Sequence, residues 1–173
     1  MRRKMIRLVL VVAAFVATIP YVGNAVATPA SGFVGNTIAL GQFGEIDVFN
    51  QLASQRNPGD NNVWQSLQKT KGLSSLYVQT NVWQPGGSTG WHSHPGHSLI
   101  IVTAGTVTDY ESDDRTCTPH VYTQGMGFVD RGGDHVHMIR NEGNVQAATV
   151  AVQLIPQGAP RRIDAPKPGN CPF

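Results

Sequence analysis

Between residues 74 and 155 apolar and polar side chains alternate with a period of two, in short runs separated by Gly, Pro, Asn or Asp. That period belongs to strands, whose successive side chains point to opposite faces. In the first run Leu76, Val78, Thr80 and Val82 alternate with Tyr77, Gln79, Asn81 and Trp83, giving one apolar face and one mixed polar and aromatic face; Pro85-Gly86-Gly87 ends it. Further strands are expected at 99–103, 106–110, 120–123, 126–130, 135–139 and 145–155. No segment carries a convincing helical pattern. Evenly spaced strands with turn signals between them predict an all-β sandwich or barrel.

The flanks read differently. Residues 28–35 form a small-residue arm or linker, and 37–40 and 45–49 are short strand material around Gly41 and Gly44. Residues 51–72 are a polar surface excursion with a turn cluster at 57–62, in which Trp64 and Leu67 are expected to anchor in the core. The tail, 156–173, is Pro-rich and predicted to pack as an extended strap. The organisation expected is a leader at 1–27, an N-terminal arm with strands at 28–73, a barrel core at 74–155 and the strap.

The leader reading rests on Arg2, Arg3, Lys4 and Arg7 before an apolar run at 8–19, with the small-residue pattern Ala25-Val26-Ala27 behind it. A signal peptide cut after Ala27 follows, with export to the medium, envelope or periplasm. The run is short of the about 20 residues a membrane span needs, so no stable span is expected after cleavage; an uncleaved anchor is the alternative. Cleavage takes four of 13 basic residues and leaves 9 against 11 acidic ones, turning a formal charge of +2 into −2. Without a basic excess nucleic acid is not an expected partner. Cys117 and Cys171 are the two cysteines, both in the exported part, where an even count favours a disulfide over two free thiols. Bonded, they would tie the strap to a mid-chain loop, worth roughly 4 kcal/mol in the chain-entropy account.

Candidate chemistry centres on residues 86–105. His92 and His94 are one residue apart, so on a strand both imidazoles leave one face, an arrangement suited to a metal. A second such pair, His135 and His137, lies in the stretch 125–141. These two stretches resemble the cupin superfamily. The first motif, G-x5-H-x-H-x3-E-x6-G, is matched by Gly86, His92, His94 and Gly105, with Ser98 where the family has Glu. The second, G-x5-P-x-G-x2-H-x3-N, is matched by Gly125, Gly133, His137 and Asn141, with Arg131 at the Pro position and one extra residue before the His.

The resemblance implies a single-domain β-barrel of the double-stranded β-helix or jelly-roll type and a mononuclear divalent metal held by His92, His94 and His137. Three neutral imidazoles would leave the ion its full charge and do not choose among Fe, Mn, Zn and Cu. His135, Ser98 and His97 are the candidates for a fourth ligand or an orienting partner, His135 by its parity with His137. Tyr77, Gln79 and Trp91 are candidates to line the barrel mouth. Asp130, Asp134 and Glu142 read as solvated strand-end residues, one of which could accept a proton. The family further implies a small-molecule ligand, homodimerisation by sheet contact, and dioxygenase-like, hydrolytic or isomerising chemistry; the alternative is a binding module for metal or small ligand without turnover.

Overall fold

A computed structural model describes residues 27–53 and 63–173. Nearly all of the expected leader, and the turn cluster at 57–62, lie outside the described residues. The alternating pattern produces twelve strands, and there is no helix among the described residues: β1 (Ser31–Phe43), β2 (Asp47–Ala53), β3 (Val63–Lys69), β4 (Ser74–Ser88), β5 (His92–Ser93), β6 (Ser98–Ala104), β7 (Thr106–Glu111), β8 (His120–Thr123), β9 (Gly127–Asp130), β10 (His137–Arg140), β11 (Ala147–Pro156) and β12 (Ile163–Asp164). Ten strands form one antiparallel sheet in the order β12-β5-β10-β4-β11-β6-β9, with β1 also on β4, β7 on β10 and β8 on β7. The sheet curls into a barrel; β2 and β3 make a separate hairpin.

Trp83, Ile100, Val102, Val107, Phe128 and Ile139 fill the barrel interior. Toward one end the inward positions of the same strands become polar: Asn81, Ser98, Asp130 and Gln153 are all buried. On β4 it is therefore the mixed face that points inward, while Leu76, Val78 and Val82 occupy the half-buried outer face. The inversion has a simple cause. Burying polar side chains is tolerable where they pair or line a cavity, and here Gln79 Nε2 donates to Asn81 Oδ1 at 2.7 Å and Asn81 Nδ2 to Thr149 Oγ1 at 3.1 Å.

The flanks correct three expectations. The arm at 28–35 is mostly strand: β1 lies along β4 from Ser31↔Ser88 to Phe43↔Ser74, with a register shift between Thr37 and Ala39. Its own residues are weak strand formers, so the partner's exposed edge supplies the order. β4 does not stop at Pro85 but turns at Gly86 (φ 75°) and continues to Ser88, where Arg140 pairs with it. Trp64 and Leu67 do not anchor in the core; they are 60% and 70% exposed, because β3 pairs only with β2.

The strap runs back over the barrel and joins it at several points. Asp164 of β12 pairs with His92 of β5, the Ala165 N–H donates to the Trp91 carbonyl at 3.0 Å, and Cys171 is disulfide-bonded to Cys117 across a sequence separation of 54. Cys171 packs with Trp91, Tyr110 and Met138 in a second apolar cluster. Replacing both cysteines by serine should lower unfolding stability by about 2–5 kcal/mol. Denaturant midpoints measured with and without reductant check this: reductant should bring the wild type to the variant's midpoint and leave the variant unchanged.

Candidate metal centre

His92 stands on β5 directly opposite His137 on β10, so the antiparallel register brings two rings from distant stretches side by side. Their centroids are 4.7 Å apart, and His94 joins them at 4.7 Å from His92 and 5.8 Å from His137. One nitrogen from each of the three rings falls in a single group whose members lie within 4.8 Å of one another.

What aims the rings is an acceptor at each Nδ1. His92 Nδ1 faces the Gly90 carbonyl at 2.9 Å, His94 Nδ1 the Arg161 carbonyl, and His137 Nδ1 the Asp109 carboxylate at 3.1 Å. A proton held on Nδ1 leaves Nε2 with its lone pair, the tautomer a metal requires. The Gln153 amide Nε2 donates to the Arg161 carbonyl at 3.2 Å and also lies 2.9 Å from His94 Nδ1, so at His94 an acceptor and a donor share that nitrogen. His137 Nε2 is buried and has no hydrogen-bond partner. An orphaned buried nitrogen is costly, and a divalent cation bound there would satisfy it. The residues present therefore fit a metal ion.

Electrostatics differ among the rings. Burial drives the His92 pKa well below its ordinary value, helped by the neighbouring positive charges of His137, Arg162 and His94. Burial also lowers His94, against an opposing pull from Asp130. His137 is raised: burial opposes its charge, but the Asp109 hydrogen bond and the charges of Asp109, Asp130 and Glu111 outweigh that.

The rings open on a cavity of about 220 Å3, with Phe33, Trp83 and Ile139 among its apolar walls and Gln79, Asn81 and Gln153 among its polar ones. Arg161 and Arg162 of the strap also line it. Arg161 Nε donates to Gln153 at 3.1 Å and its guanidinium lies 4.3 Å over the Tyr77 ring. Arg162 Nη2 donates to the Thr89 carbonyl at 2.7 Å.

Of the other residues singled out in the sequence, Gln79 and Ser98 line the cavity. Trp91 does not: it is fully buried in the second apolar cluster, on the side opposite its neighbour His92. Tyr77 supports the wall only through Arg161. His97 turns away to a shallow pocket beside Lys69 and Leu73, as its odd offset from inward-facing Ser98 requires. His135 lies outside the centre as well. β10 begins at His137, so strand parity does not reach it, and its Nε2 instead meets Arg131, with Glu111 at 3.6 Å and Asp113 at 3.7 Å. Arg131, 2.6 Å from Glu111, already supplies the cation of that cluster.

Asp109 escaped the sequence reading, and Asp130 was expected there only as a solvated strand-end acid. Asp109 and Asp130 are 4% and 2% exposed, not solvated. The signal for Asp130 was the period of β9, whose inward positions are Phe128 and Asp130. That for Asp109 was an acid in the middle of the run Thr106–Glu111.

A pH dependence follows from the geometry. Metal on His137 Nε2 must displace a proton held more tightly than in free imidazole, whose pKa is about 6.5. Affinity for a divalent ion should fall on acidification from a pH above 6.5, by about tenfold per unit once His137 is protonated. Dissociation constants measured between pH 6 and 8 check it; a constant value would contradict the assignment.

Residues 80–153 match the family model described as the cupin domain. Solved structures similar to the chain include three with weak overall superposition. An uncharacterised conserved protein with a double-stranded β-helix domain from Klebsiella pneumoniae subsp. pneumoniae MGH 78578 is 22% identical, over 53% of this chain and 76% of that one, TM-score 0.45. A predicted oxalate decarboxylase from Thermotoga maritima is 19% identical over 49% and 83%, TM-score 0.40. A polyketide cyclase from Streptomyces resistomycificus is 17% identical over 55% and 63%, TM-score 0.45. No curated protein matches the chain. Residues 80–153, which bring His92, His94 and His137 to one point inside a barrel, match the cupin domain, and this part of the chain belongs to the cupin superfamily.

Proposed function

We propose that this chain is an exported cupin that holds one divalent metal ion, Fe, Mn, Zn or Cu, on His92, His94 and His137 and acts on a small molecule. The observation that carries the reading is the convergence of one ring nitrogen from each of three histidines, each ring with a partner at Nδ1 and the Nε2 of His137 buried and unpartnered. A bound ion would supply Lewis-acid polarisation or a redox centre, hence dioxygenase-like, hydrolytic or isomerising chemistry.

The chain's own residues set what can approach it. The cavity is below the about 300–1,000 Å3 of drug-sized sites, which favours a small molecule. The charges of Arg161 and Arg162 and the amides of Gln79, Asn81 and Gln153 on its walls favour an oxygen-rich or anionic one. Asp109, fixing His137, keeps the ring from turning. The disulfide and the expected leader support export. No helix among the described residues is long and apolar enough to cross a membrane.

Elemental analysis of the protein as isolated should find about one divalent ion per chain, and His92→Ala and His137→Ala should each lose it while retaining the β-sheet circular dichroism. Oxygen uptake and product analysis with small thiols, diols, phenols and carboxylates then test turnover. Stoichiometric metal without turnover would point to the binding module; a protein that binds no divalent ion would remove the metal reading altogether.

A further inference from the structure

Position 98 carries Ser where the motif has Glu, yet the place such a side chain would occupy is not empty of carboxylate. Ser98 and Asp130 are directly paired in the β6–β9 register. Opposed residues in an antiparallel pair share a face, with Cβ atoms about 4.5–5.5 Å apart. A group missing from one can be supplied by the other. Ser98 Oγ donates to Asp130 Oδ2 at 3.2 Å, and that same oxygen lies 3.4 Å from His94 Nε2 and 3.9 Å from His137 Nε2. Around an ion with donors at about 2.0–2.2 Å, simple trigonometry puts neighbouring donors about 3–3.7 Å apart and opposed ones about 4.2 Å apart. The 3.4 Å separation is that of neighbouring donors, and the 3.9 Å one lies between the neighbouring and the opposed values.

Two further observations point the same way. Asp130 is 2% exposed, and among the described residues no lysine or arginine lies within ion-pair distance of it. The groups that face it are the rings of His94 and His137, and a divalent ion held by those rings would be the counter-charge in place of their protons. Its other oxygen, Oδ1, accepts the Gly132 N–H at 3.0 Å, which holds the carboxylate and leaves Oδ2 turned to the imidazoles. Gly132 itself is pressed against the turn between His94 and Ser98: a Cβ on it would stand 2.3 Å from the Gly96 backbone. The loop carrying the carboxylate and the turn carrying His94 are thus locked together.

We propose that Asp130 is the fourth protein ligand of the metal, supplying across the β6–β9 pair the carboxylate absent from position 98. This rests on the metal site assigned above to the three histidines. The ligand set then carries one negative charge, which leaves a divalent centre at +1 and favours ions that accept both imidazole and carboxylate over soft ones.

The test is Co2+ binding to the purified mature protein, read by visible absorption, by the dissociation constant and by the shift of the thermal midpoint on adding the ion. Asp130→Asn should raise the dissociation constant at least about tenfold, the lower end of what even an outer partner's loss costs, and change the absorption bands. At a pH where the facing imidazoles are neutral, its metal-free midpoint should be no lower than that of the metal-free wild type, since a buried negative charge is gone. Moving the carboxylate to the partner strand, Ser98→Glu with Asp130→Ser, should bring affinity back to within a few-fold of wild type. An Asp130→Asn protein with wild-type affinity and bands would overturn the proposal while leaving the three-histidine site standing. A loss of metal-free stability with unaltered binding would mark Asp130 as structural and overturn it equally. If Asp130→Asn does not fold, the transposed variant decides: wild-type-like binding supports the proposal and none refutes it. A wild type that takes up no Co2+ would remove the site reading, and this inference with it.

Discussion

The pairing of His92 with His137 across β5 and β10 is the constraint on which the site depends. In a sheet a slip of one residue sends a side chain to the opposite face. One such slip in either strand would aim an imidazole away from the cavity, and the cluster would fall to two rings. Four residues of β10 are paired along β7, from His137↔Glu111 to Arg140↔Thr108, and this longer ladder keeps the short contact with β5 in register. It also sets Asp109 where it can fix the His137 ring.

β5, only two residues long, needs support from its other edge, and the strap supplies it. β12 pairs with β5 while the Arg161 carbonyl orients His94, so the C-terminal segment braces two of the three rings. The disulfide ties that segment to the loop after β7. Arg161 and Arg162 enter the cavity from the same strap. One covalent tether therefore serves both the ligand geometry and the charge of the cavity, a coupling between stability and chemistry within about ten residues of chain.

The polar end of the barrel explains why the strands run against the usual expectation for an alternating pattern. An apolar stripe ordinarily marks the buried face, but on β4 that stripe lies outside because Gln79 and Asn81 have work to do within. The outward residues are only half-covered, and Leu99, Ile101 and Val129 on the neighbouring strands are more than half exposed. Alternation locates a strand; it does not by itself say which side is the interior.

Much of this protein was legible in its residues, because strand periodicity and turn chemistry are local. Seven of its strands, from β4 and β6 to β11, follow the alternation and its breaks to within a few residues. The fold class and the three histidines rest on motif spacing, which survives without any knowledge of packing. Residues 98 and 130 show the limit. Ser98 was visible as a departure and Asp130 as an acid near a strand end, but that each faces the other is a matter of register between strands far apart in sequence. The same holds for Trp91, sent to the second cluster, for His135, cut off by the start of β10, and for Trp64 and Leu67, left uncovered by an isolated hairpin. Sequence alone determined the strands, the barrel and the identity of the converging rings; only tertiary structure decided which face is interior, which acids are buried and what the strap holds, since those depend on contacts between segments whose spacing along the chain says nothing of their distance in space.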